Sequence, residues 1–270
     1  MNENVEPRFF EEERKKLIIN YVDRHTKATV AELCEQFSVS SATIRNDLRA
    51  LAQKGLLKRT HGGAISNKNV SFEQGNVEKS VRRIDAKRAI AEAALEHIQE
   101  GDSIGLDAGT TTYELAKLLT RFSNLVVVTY DIGIANYLEN NTQNRVIIAG
   151  GMIRKKFNYT VGEMALTTLE RLNIDTFFLS VNGISLEKGV STPDIETSRL
   201  KRIMMQNSGK TILLADSTKA DNISFVSFAG VNDLDEFITD SDVSSEFVAG
   251  LEQKNVQVRV VDYVEKKDEK

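Results

Sequence analysis

The first sixty residues place apolar side chains at the three- and four-residue spacing of short amphipathic helices. A first helix is predicted over about 8–24, where four apolar residues share one face: Leu17, Ile18, Tyr21 and Val22. A second helix is predicted to begin after Thr29, because Thr29 and Glu32 have the spacing of a capping box. Two helices this short and this close together indicate a small helical domain at the start of the chain.

A third helix is predicted after the turn at 38–40, with Ser40 as its candidate N-cap. At about 100° per residue, Ile44, Leu48 and Leu51 fall on one narrow apolar stripe, and the opposite side is polar and basic. A helix with so narrow a buried face presents most of its surface to solvent or to a partner.

The segment after this helix has the composition of a small β-hairpin. Gly55 ends the helix, 56–59 has the pattern of a short strand, 60–63 supplies a turn, and 64–66 is the candidate return strand. The order of helix, capped helix, short turn, basic helix and hairpin predicts a winged helix-turn-helix.

From residue 81 onward the pattern changes. A helix is predicted over Val81–Gln99 and is expected to end at Gly101. Short apolar runs then alternate with amphipathic helices, and most of these runs lack the apolar–polar alternation of a half-exposed strand, as expected for a mainly parallel sheet buried on both faces. The predicted strands are Ser103–Leu106, Leu125–Thr129, Val146–Ala149, Thr176–Val181, Lys210–Ala215, Glu236–Thr239 and Val256–Val261.

These patterns divide the chain into four segments. Residues 8–66 are expected to form an all-α winged helix-turn-helix with a small β-wing, and the polar, weakly patterned residues 67–80 a linker. Residues 81–262 are expected to form an α/β domain that also mediates oligomerisation, and 263–270 a disordered tail.

Charge is unevenly distributed along the chain. The net charge is −4, but residues 1–66 carry +2 and the remainder −6. The single acid between residues 40 and 61 is Asp47, among five Lys and Arg residues. A basic patch on an acidic protein is the electrostatic signature of a nucleic-acid interface.

The composition excludes several other classes of protein. No apolar run is long enough to span a membrane, and the charged N-terminus does not resemble a secretory signal, so a cytoplasmic location is expected. Cys34 has no partner for a disulfide and lies at a core position of the second helix. With three His and one Cys, neither a metal nor a cofactor is expected.

The exposed side of the third helix and the hairpin supply the candidate contacts to double-stranded DNA. In helix-turn-helix proteins, the start of the recognition helix reads base edges in the major groove, and flanking groups bind phosphate. The alternative is a charged helix used for protein contacts, which leaves unexplained why two arginines lie one turn apart. The candidate DNA-binding residues are Ser40, Ser41, Thr43, Arg45, Asn46, Arg49, Lys58, Arg59 and His61.

The segment 29–64 resembles the signature of the DeoR family of bacterial sugar-metabolism regulators. The resemblance implies that 41–49 is the recognition helix and that Arg45, Asp47 and Leu48 occupy family positions.

A second candidate site follows the strand that ends at Leu106. The residues Asp107 to Thr112 lead from this strand into a helix, so free amides, threonine hydroxyls and the positive end of the helix dipole are available to an anion. The sequence is neither a dinucleotide-binding glycine motif nor a P-loop. The alternative is an ordinary turn in which a threonine caps the helix.

Polar or glycine residues also follow other predicted strands. The carboxyl ends of parallel strands share one rim, where ligands bind. The residues gathered there are Tyr130, Gly150, Gly151, Gly183, Asp216 and Lys219, and each by itself is also compatible with a turn or a cap.

The DeoR resemblance extends to about residue 262, and the family's sensor domain is similar in fold to ribose-5-phosphate isomerase A. It implies that Asp107 with Gly109, Thr110, Thr111 and Thr112 binds phosphate and sugar. It further implies a second set of residues around the sugar ring: Glu196, Lys201, Asp216 and Lys219. The chain departs from the family at Tyr130, where Asn is common, and at Ser185, where Asp is frequent.

The sequence therefore predicts a DNA-binding transcription regulator. The resemblance to the DeoR family implies a repressor of a carbohydrate operon that is controlled by a phosphorylated sugar. A homodimer or homotetramer is expected, because one helix-turn-helix reads only one half-site. The alternatives are a sugar-phosphate isomerase with an added DNA-binding domain and a protein-interaction adaptor. Shared fold does not establish turnover, so an enzyme is not expected.

Overall fold

The structure is a computed structural model that describes residues 10–25, 27–66 and 76–264. The chain divides into two compact units, residues 1–70 and 71–270. Within the described ranges, no helix combines the length and apolar character that a membrane span requires.

The first unit packs helices against a small sheet. Its elements are α1 (Glu11–His25), β1 (Lys27–Thr29), α2 (Val30–Phe37), α3 (Ser41–Gln53), β2 (Leu57–Thr60) and β3 (Gly63–Ser66). The predicted stripe of α3 is buried, with Ile44, Leu48 and Leu51 each no more than 2% exposed, in one core with residues from α1, α2 and the sheet. The winged helix-turn-helix expected from the spacing is confirmed.

The helix starts in this unit follow the predicted caps. The Glu32 amide donates to Thr29 Oγ1 over 3.2 Å, and the Thr29 amide donates to Glu32 Oε2 over 2.7 Å, which completes the capping box. Ser40 caps α3 by accepting a hydrogen bond from the Thr43 amide. Between them, Ser38 ends α2 in the left-handed conformation, with φ of 52°.

We expected the first unit to contain only helices and a two-stranded hairpin, and this expectation was wrong. In the part of the chain that the structure describes, β1 adds to the hairpin and gives the strand order β1-β3-β2. Gly63 lies opposite Thr29, and a Cβ atom at Gly63 would lie 2.0 Å from the carbonyl oxygen of Ala28. With three residues, β1 is too short for strand periodicity to reveal it.

The second unit contains the remaining elements. Its strands are β4 (Ser103–Leu106), β5 (Val126–Thr129), β6 (Arg145–Ile148), β7 (Met152–Arg154), β8 (Tyr159–Val161), β9 (Ile174–Leu179), β10 (Gly183–Ser185), β11 (Gly189–Thr192), β12 (Ser208–Leu214), β13 (Val226–Ala229), β14 (Glu236–Asp240) and β15 (Gln257–Val261). Its helices are α4 (Asn76–Val81), α5 (Ile84–Ala94), α6 (Thr110–Leu118), α7 (Ile132–Asn141), α8 (Glu163–Leu169), α9 (Ile195–Gln206) and α10 (Ser245–Glu252).

The predicted strands form one sheet. Its order among the described residues is β15-β14-β12-β9-β4-β5-β6, and the neighbouring strands are all parallel. Phe177 and Phe178 are both fully buried but belong to different cores, one on each face of the sheet. Burial on both faces explains why these strands are continuous apolar runs.

The structure divides the helix that we predicted over Val81–Gln99. Arg83 takes a left-handed conformation, with φ of 52°, between α4 and α5, and α5 gives way to a 3-10 turn at Leu95–His97. The Arg83 guanidinium donates to Asp240 Oδ1 over 2.8 Å and to Asp242 Oδ2 over 2.6 Å. These bonds to distant residues hold a backbone conformation that local spacing does not show.

The expected linker and tail both extended too far into the folded unit. Residues 76–80 belong to α4, whose last carbonyls accept hydrogen bonds from Lys87. Tyr263, assigned to the tail, bonds through its hydroxyl to Arg83 and Asp242, each over 2.9 Å. Residues 67–75 and 265–270 lie outside the described residues.

Five short strands of the second unit were not predicted from the sequence. β7 and β8 form an antiparallel hairpin, and β10, β11 and β13 form a second antiparallel sheet. These strands have three or four residues each and contain glycine or polar side chains, so none produces a recognisable apolar run.

Candidate nucleic-acid interface and effector site

The exposed face of α3 carries most of the candidate DNA contacts. Ser41, Arg45, Asn46 and Arg49 are exposed, and Thr43 is half-buried. Arg45 Nη1 donates to Ser41 Oγ over 3.3 Å, and Arg49 Nη1 donates to Asn46 Oδ1 over 3.1 Å. Within the described ranges neither arginine is paired with an acid, so both cationic charges remain available to a phosphate.

The acid in this segment does not neutralise those arginines. Asp47 lies on the buried side of α3, 3% exposed, and accepts hydrogen bonds from Arg14 on α1. The spacing along the helix alone does not show this partner, which lies 33 residues away.

The wing places its basic residues at one end of the first unit's sheet. Lys58 is half-buried and Arg59 exposed on β2, and His61 is exposed in the two-residue turn between β2 and β3. The Val30 amide donates to the Gly62 carbonyl over 2.8 Å, so the turn is attached to the start of α2. The candidate residues of α3 and the hairpin therefore belong to one folded unit.

The candidate effector residues lie mostly at the carboxyl ends of the parallel strands. Asp107 follows β4, Tyr130 follows β5, Gly150 and Gly151 follow β6, and Asp216 follows β12. Because β9 separates β12 from β4, the Asp216 loop lies about 10 Å from the Asp107 loop at the usual strand spacing. The predicted rim is present.

Asp107 has no exposed surface, and both of its carboxylate oxygens accept hydrogen bonds. Its Oδ1 accepts from the Ala108 amide at 2.9 Å and from the Tyr130 hydroxyl. Its Oδ2 accepts from the Ser180 amide at 2.8 Å and from Lys201 Nζ. We expected Asp107 to bind sugar hydroxyls. It has no exposed surface and already accepts four hydrogen bonds, so it is not free to do so.

Asp107 instead joins three strand ends to α9. Lys201 comes from α9 and also donates to the carbonyl of Ser180 over 2.8 Å. Burial, and then the charge of Asp107, raise the pKa of Tyr130 well above its ordinary value, so its hydroxyl remains a donor. The family's usual Asn at this position is thus replaced by a residue that binds Asp107 directly.

The start of α6 retains the properties of an anion site. Gly109 is its N-cap residue and offers no side chain to the first amides. Thr112 is committed, because its hydroxyl donates to the carbonyls of Asp107 and Gly109 over 2.7 and 2.9 Å. Thr110 is half-buried and Thr111 is 4% exposed at this helix start. An uncapped helix N-terminus favours a negatively charged ligand.

Three of the predicted glycines have packing roles. A Cβ atom would lie 2.3 Å from Ser180 Oγ at Gly109, 2.5 Å from the Val161 carbonyl oxygen at Gly151 and 2.2 Å from the Asn222 carbonyl oxygen at Gly183. Gly150 is exposed, and a Cβ atom there would meet nothing within 4 Å. Close approach of a side chain at Gly109, and of a backbone carbonyl at Gly151 and Gly183, accounts for glycine at these positions.

The remaining candidates divide between α9 and the β12 loop. Glu196 is half-buried in the first turn of α9, five residues before buried Lys201. Asp216 caps the short turn that contains Lys219, accepting bonds from the Thr218 amide and hydroxyl. Burial opposes ionisation of Asp216, but Lys219, the Thr218 hydroxyl and two further cations outweigh it and lower its pKa.

Those two cations are residues that the sequence analysis missed. Arg83 and Lys87 belong to the start of α5, and both act on the charge of Asp216. Arg83 Nε lies 4.0 Å from Asp216 Oδ1. Both residues fell inside the helix predicted over Val81–Gln99, and neither was among the candidate site residues.

Ser185, the other departure from the family, lies in the β10–β11 hairpin. Its hydroxyl oxygen accepts from the amides of Glu187 and Lys188 over 3.3 and 3.4 Å. The hydroxyl thus forms the turn between these two strands.

The fold defines a class of protein: a winged helix-turn-helix unit followed by an α/β unit with polar residues along one rim of a parallel sheet, the organisation of a DNA-binding regulator with a second, separate domain. The model of the DeoR-like helix-turn-helix domain matches residues 14–70, and that of the DeoR C terminal sensor domain matches residues 82–241. The chain belongs to the DeoR family of transcription regulators.

Curated relatives match nearly the whole chain. The HTH-type transcriptional regulator GlpR of Haloferax volcanii is 37% identical over 246 residues, which are 91% of this chain and 96% of that protein. The putative aga operon transcriptional repressor of Escherichia coli O157:H7 is 32% identical, over 92% and 93%. The L-fucose operon activator of Haemophilus influenzae is 34% identical, over 90% and 97%.

Among solved structures, ribose 5-phosphate isomerase A from Methanocaldococcus jannaschii is similar with a TM-score of 0.38 and 13% identity, over 51% of this chain and 54% of that one. The curated relatives that match nearly the whole chain are named as transcription regulators, and this protein is a transcription regulator. It binds DNA through its helix-turn-helix domain and carries a sensor domain.

Proposed function

We propose that the protein represses a carbohydrate-utilisation operon and that a phosphorylated sugar, bound at the rim of the parallel sheet, controls its affinity for the operator. We also propose that it acts as a homodimer or homotetramer in the cytoplasm, since two half-sites require two helix-turn-helix units. The observation that carries the effector proposal is the uncapped start of α6, on the rim that also holds Lys219.

The ligand class follows from the chemistry of the rim. The start of α6 attracts a dianionic phosphate, because the amides of the first turn point outward and the helix dipole is positive there. Lys219 adds a cation about two strands away. A phosphorylated sugar places its phosphate at the helix and its hydroxyls towards the other strand ends.

A thermal-shift screen tests the effector proposal. The full chain is heated with a panel of pentose and hexose phosphates, each compared with the unphosphorylated sugar. A ligand at 100 times its Kd adds about 2.7 kcal/mol to the free energy of unfolding, which is readily seen as a rise in melting temperature. Stabilisation by the sugars alone, without preference for the phosphates, would overturn the proposal.

Variants of α6 locate the site. Thr110→Glu places a carboxylate at the start of α6, where the dipole favours it, and should abolish the response to phosphorylated sugars without unfolding the protein. Thr120→Glu adds the same charge at an exposed position beyond the end of the helix and should respond normally. A normal response in Thr110→Glu would move the site elsewhere.

DNA binding is tested with fragments selected by the protein from random duplexes. Arg45→Ala and Arg49→Ala should each weaken binding. If the arginine binds phosphate, the dependence of affinity on salt concentration should become less steep; if it contacts a base, the preference for that base should be lost. Arg171→Ala removes an exposed charge from the second unit and is the matched control.

Repression is supported by the relative named as the aga operon repressor, while another relative is named an activator. In vitro transcription from the selected operator decides between them: repression predicts less transcript with the protein than without it. Sedimentation of the free protein reports the oligomeric state, and a monomer would contradict that part of the proposal.

A further inference from the structure

The buried Lys87 lies between the effector rim and α4, the helix that precedes it in the chain. Lys87, on α5, is 4% exposed, and its Nζ donates to the carbonyl of Arg82 over 2.6 Å and to that of Lys79. These carbonyls belong to the last turn of α4 and the residue just after it. Helix C-termini leave such carbonyls without intrahelical donors, so the ammonium caps α4.

Lys87 lies one turn after a residue that contacts the rim. Its amide donates to the carbonyl of Arg83 over 3.1 Å, and Arg83 Nε lies 4.0 Å from Asp216 Oδ1. Burial lowers the pKa of Lys87 to about 8, and the charges of Asp216, Lys219 and Glu114 act on it. Asp216 accepts hydrogen bonds from Thr218. Among the described residues, the side-chain hydrogen bonds of Lys87 go to backbone carbonyls and not to Asp216. An anion bound beside Lys219 would compete for this ammonium.

α4 occupies the position from which a signal would leave the sensor unit. It contacts α6, whose start is the proposed anion site. It is also the first described element after residues 67–75, the segment that follows the DNA-binding unit in sequence. α4 has six residues, and a helix this short depends on its caps and contacts.

We propose that Lys87 couples effector binding to α4: an anion at the rim draws the ammonium away from the α4 carbonyls, and α4 loses its cap and detaches. The inference rests on the proposed effector function. An ammonium binds a phosphate more strongly than a neutral carbonyl, so the anion favours the uncapped state. A ligand that binds one of two states better shifts the equilibrium towards that state.

The test is amide hydrogen exchange of residues 76–82 in the full chain, with inorganic phosphate as the anion and chloride of equal ionic strength as the reference. In the unchanged protein, phosphate should raise the exchange rate of these amides at least five-fold. In Lys87→Met, exchange should be fast without phosphate and should not respond to it, although phosphate still raises the melting temperature. Lys87→Arg retains the charge and the donors and should restore the response.

Control variants separate coupling from a general loss of stability. Arg88→Met removes a neighbouring, half-exposed cation of α5 and should leave the phosphate response of 76–82 intact. Phosphate that raises the melting temperature without changing the exchange of 76–82 would overturn the coupling alone. Phosphate and sugar phosphates that both fail to stabilise the protein would overturn the effector site, and the coupling with it.

Discussion

Arg14 of α1 donates two hydrogen bonds to Asp47 of α3, from Nε to Oδ2 over 2.6 Å and from Nη2 to Oδ1 over 3.3 Å. Their side chains are 11% and 4% exposed. The pair fixes the candidate recognition helix to the first helix, and it holds the acid away from the face that carries Arg45 and Arg49. Its role is therefore to orient α3 rather than to contact DNA.

We expect Asp47→Asn to lower the free energy of unfolding of the first unit by about 2 kcal/mol. The amide accepts less strongly from the guanidinium, and a buried charged pair that loses one charge leaves the other poorly compensated. Chemical denaturation of the full chain measures the change.

Glu35→Gln is the control for Asp47→Asn, because it removes the same charge from an exposed position on α2. It should change stability by no more than a few tenths of a kcal/mol. Equal effects of the two substitutions would show that the contact with Arg14 contributes nothing.

A second prediction concerns the β1–β3 pairing. Gly63→Ala should destabilise the first unit by about 1–3 kcal/mol, because the new methyl group would lie 2.0 Å from a backbone carbonyl oxygen that cannot move without breaking the pairing. Gly62→Ala is the neighbouring control: a Cβ atom there meets nothing within 4 Å, and its φ lies outside the left-handed region. Melting temperatures of the two variants should differ clearly, and indistinguishable values would contradict the close approach.

The sequence was sufficient to predict an element and its buried side where a short stretch of residues contains all the information needed. The stripe of Ile44, Leu48 and Leu51 identifies the side of α3 that is buried, and adjacent buried residues such as Phe177 and Phe178 identify a strand covered on both faces. In these cases periodicity reports burial directly.

The sequence was not sufficient where distant residues decide the local structure or chemistry. The left-handed Arg83 is held by Asp240, which lies 157 residues further along the chain. Asp107 has the position of a ligand-binding carboxylate, but its capacity is taken by Tyr130 and Lys201, 23 and 94 residues away. No spacing rule links such pairs, so Asp107 was assigned to the ligand and Lys87 was not among the candidate residues.

A third prediction follows from the pKa of Asp131, which burial raises from 3.8 to about 6. Hydrogen bonds from the Ile134 and Gly133 amides oppose this rise, and the negative charge of Asp107 adds to it. The folded state therefore binds this proton more tightly than the unfolded state, so stability falls as pH rises from about 4 to about 6 and the penalty persists above that. Asp131→Asn keeps the acceptor that caps α7 and removes the charge.

Asp131→Asn should accordingly be more stable than the unchanged protein at pH 8, by on the order of 2 kcal/mol, with the difference disappearing near pH 4. Asp175→Asn should show the opposite trend, because hydrogen bonds from the Ser103 hydroxyl and amide lower the pKa of Asp175. Its loss of stability should be present at neutral pH and vanish as the carboxyl group protonates. Melting temperatures between about pH 2 and pH 8 check both, because the Asp175 difference disappears only below about pH 4, and parallel curves would refute the assignment.

The last prediction concerns the buried pair of Asp107 and Lys201, which are 0% and 3% exposed. Lys201→Met leaves a buried carboxylate without its cation, so the free energy of unfolding of the second unit should fall by about 3–5 kcal/mol. Asp107→Asn should also be destabilising, since Lys201 then loses its charged acceptor. The double variant should cost much less than the two single variants together, because neither charge is left unpaired. Urea unfolding of the four proteins gives the coupling energy, and additive losses would mean that the two charges do not stabilise each other.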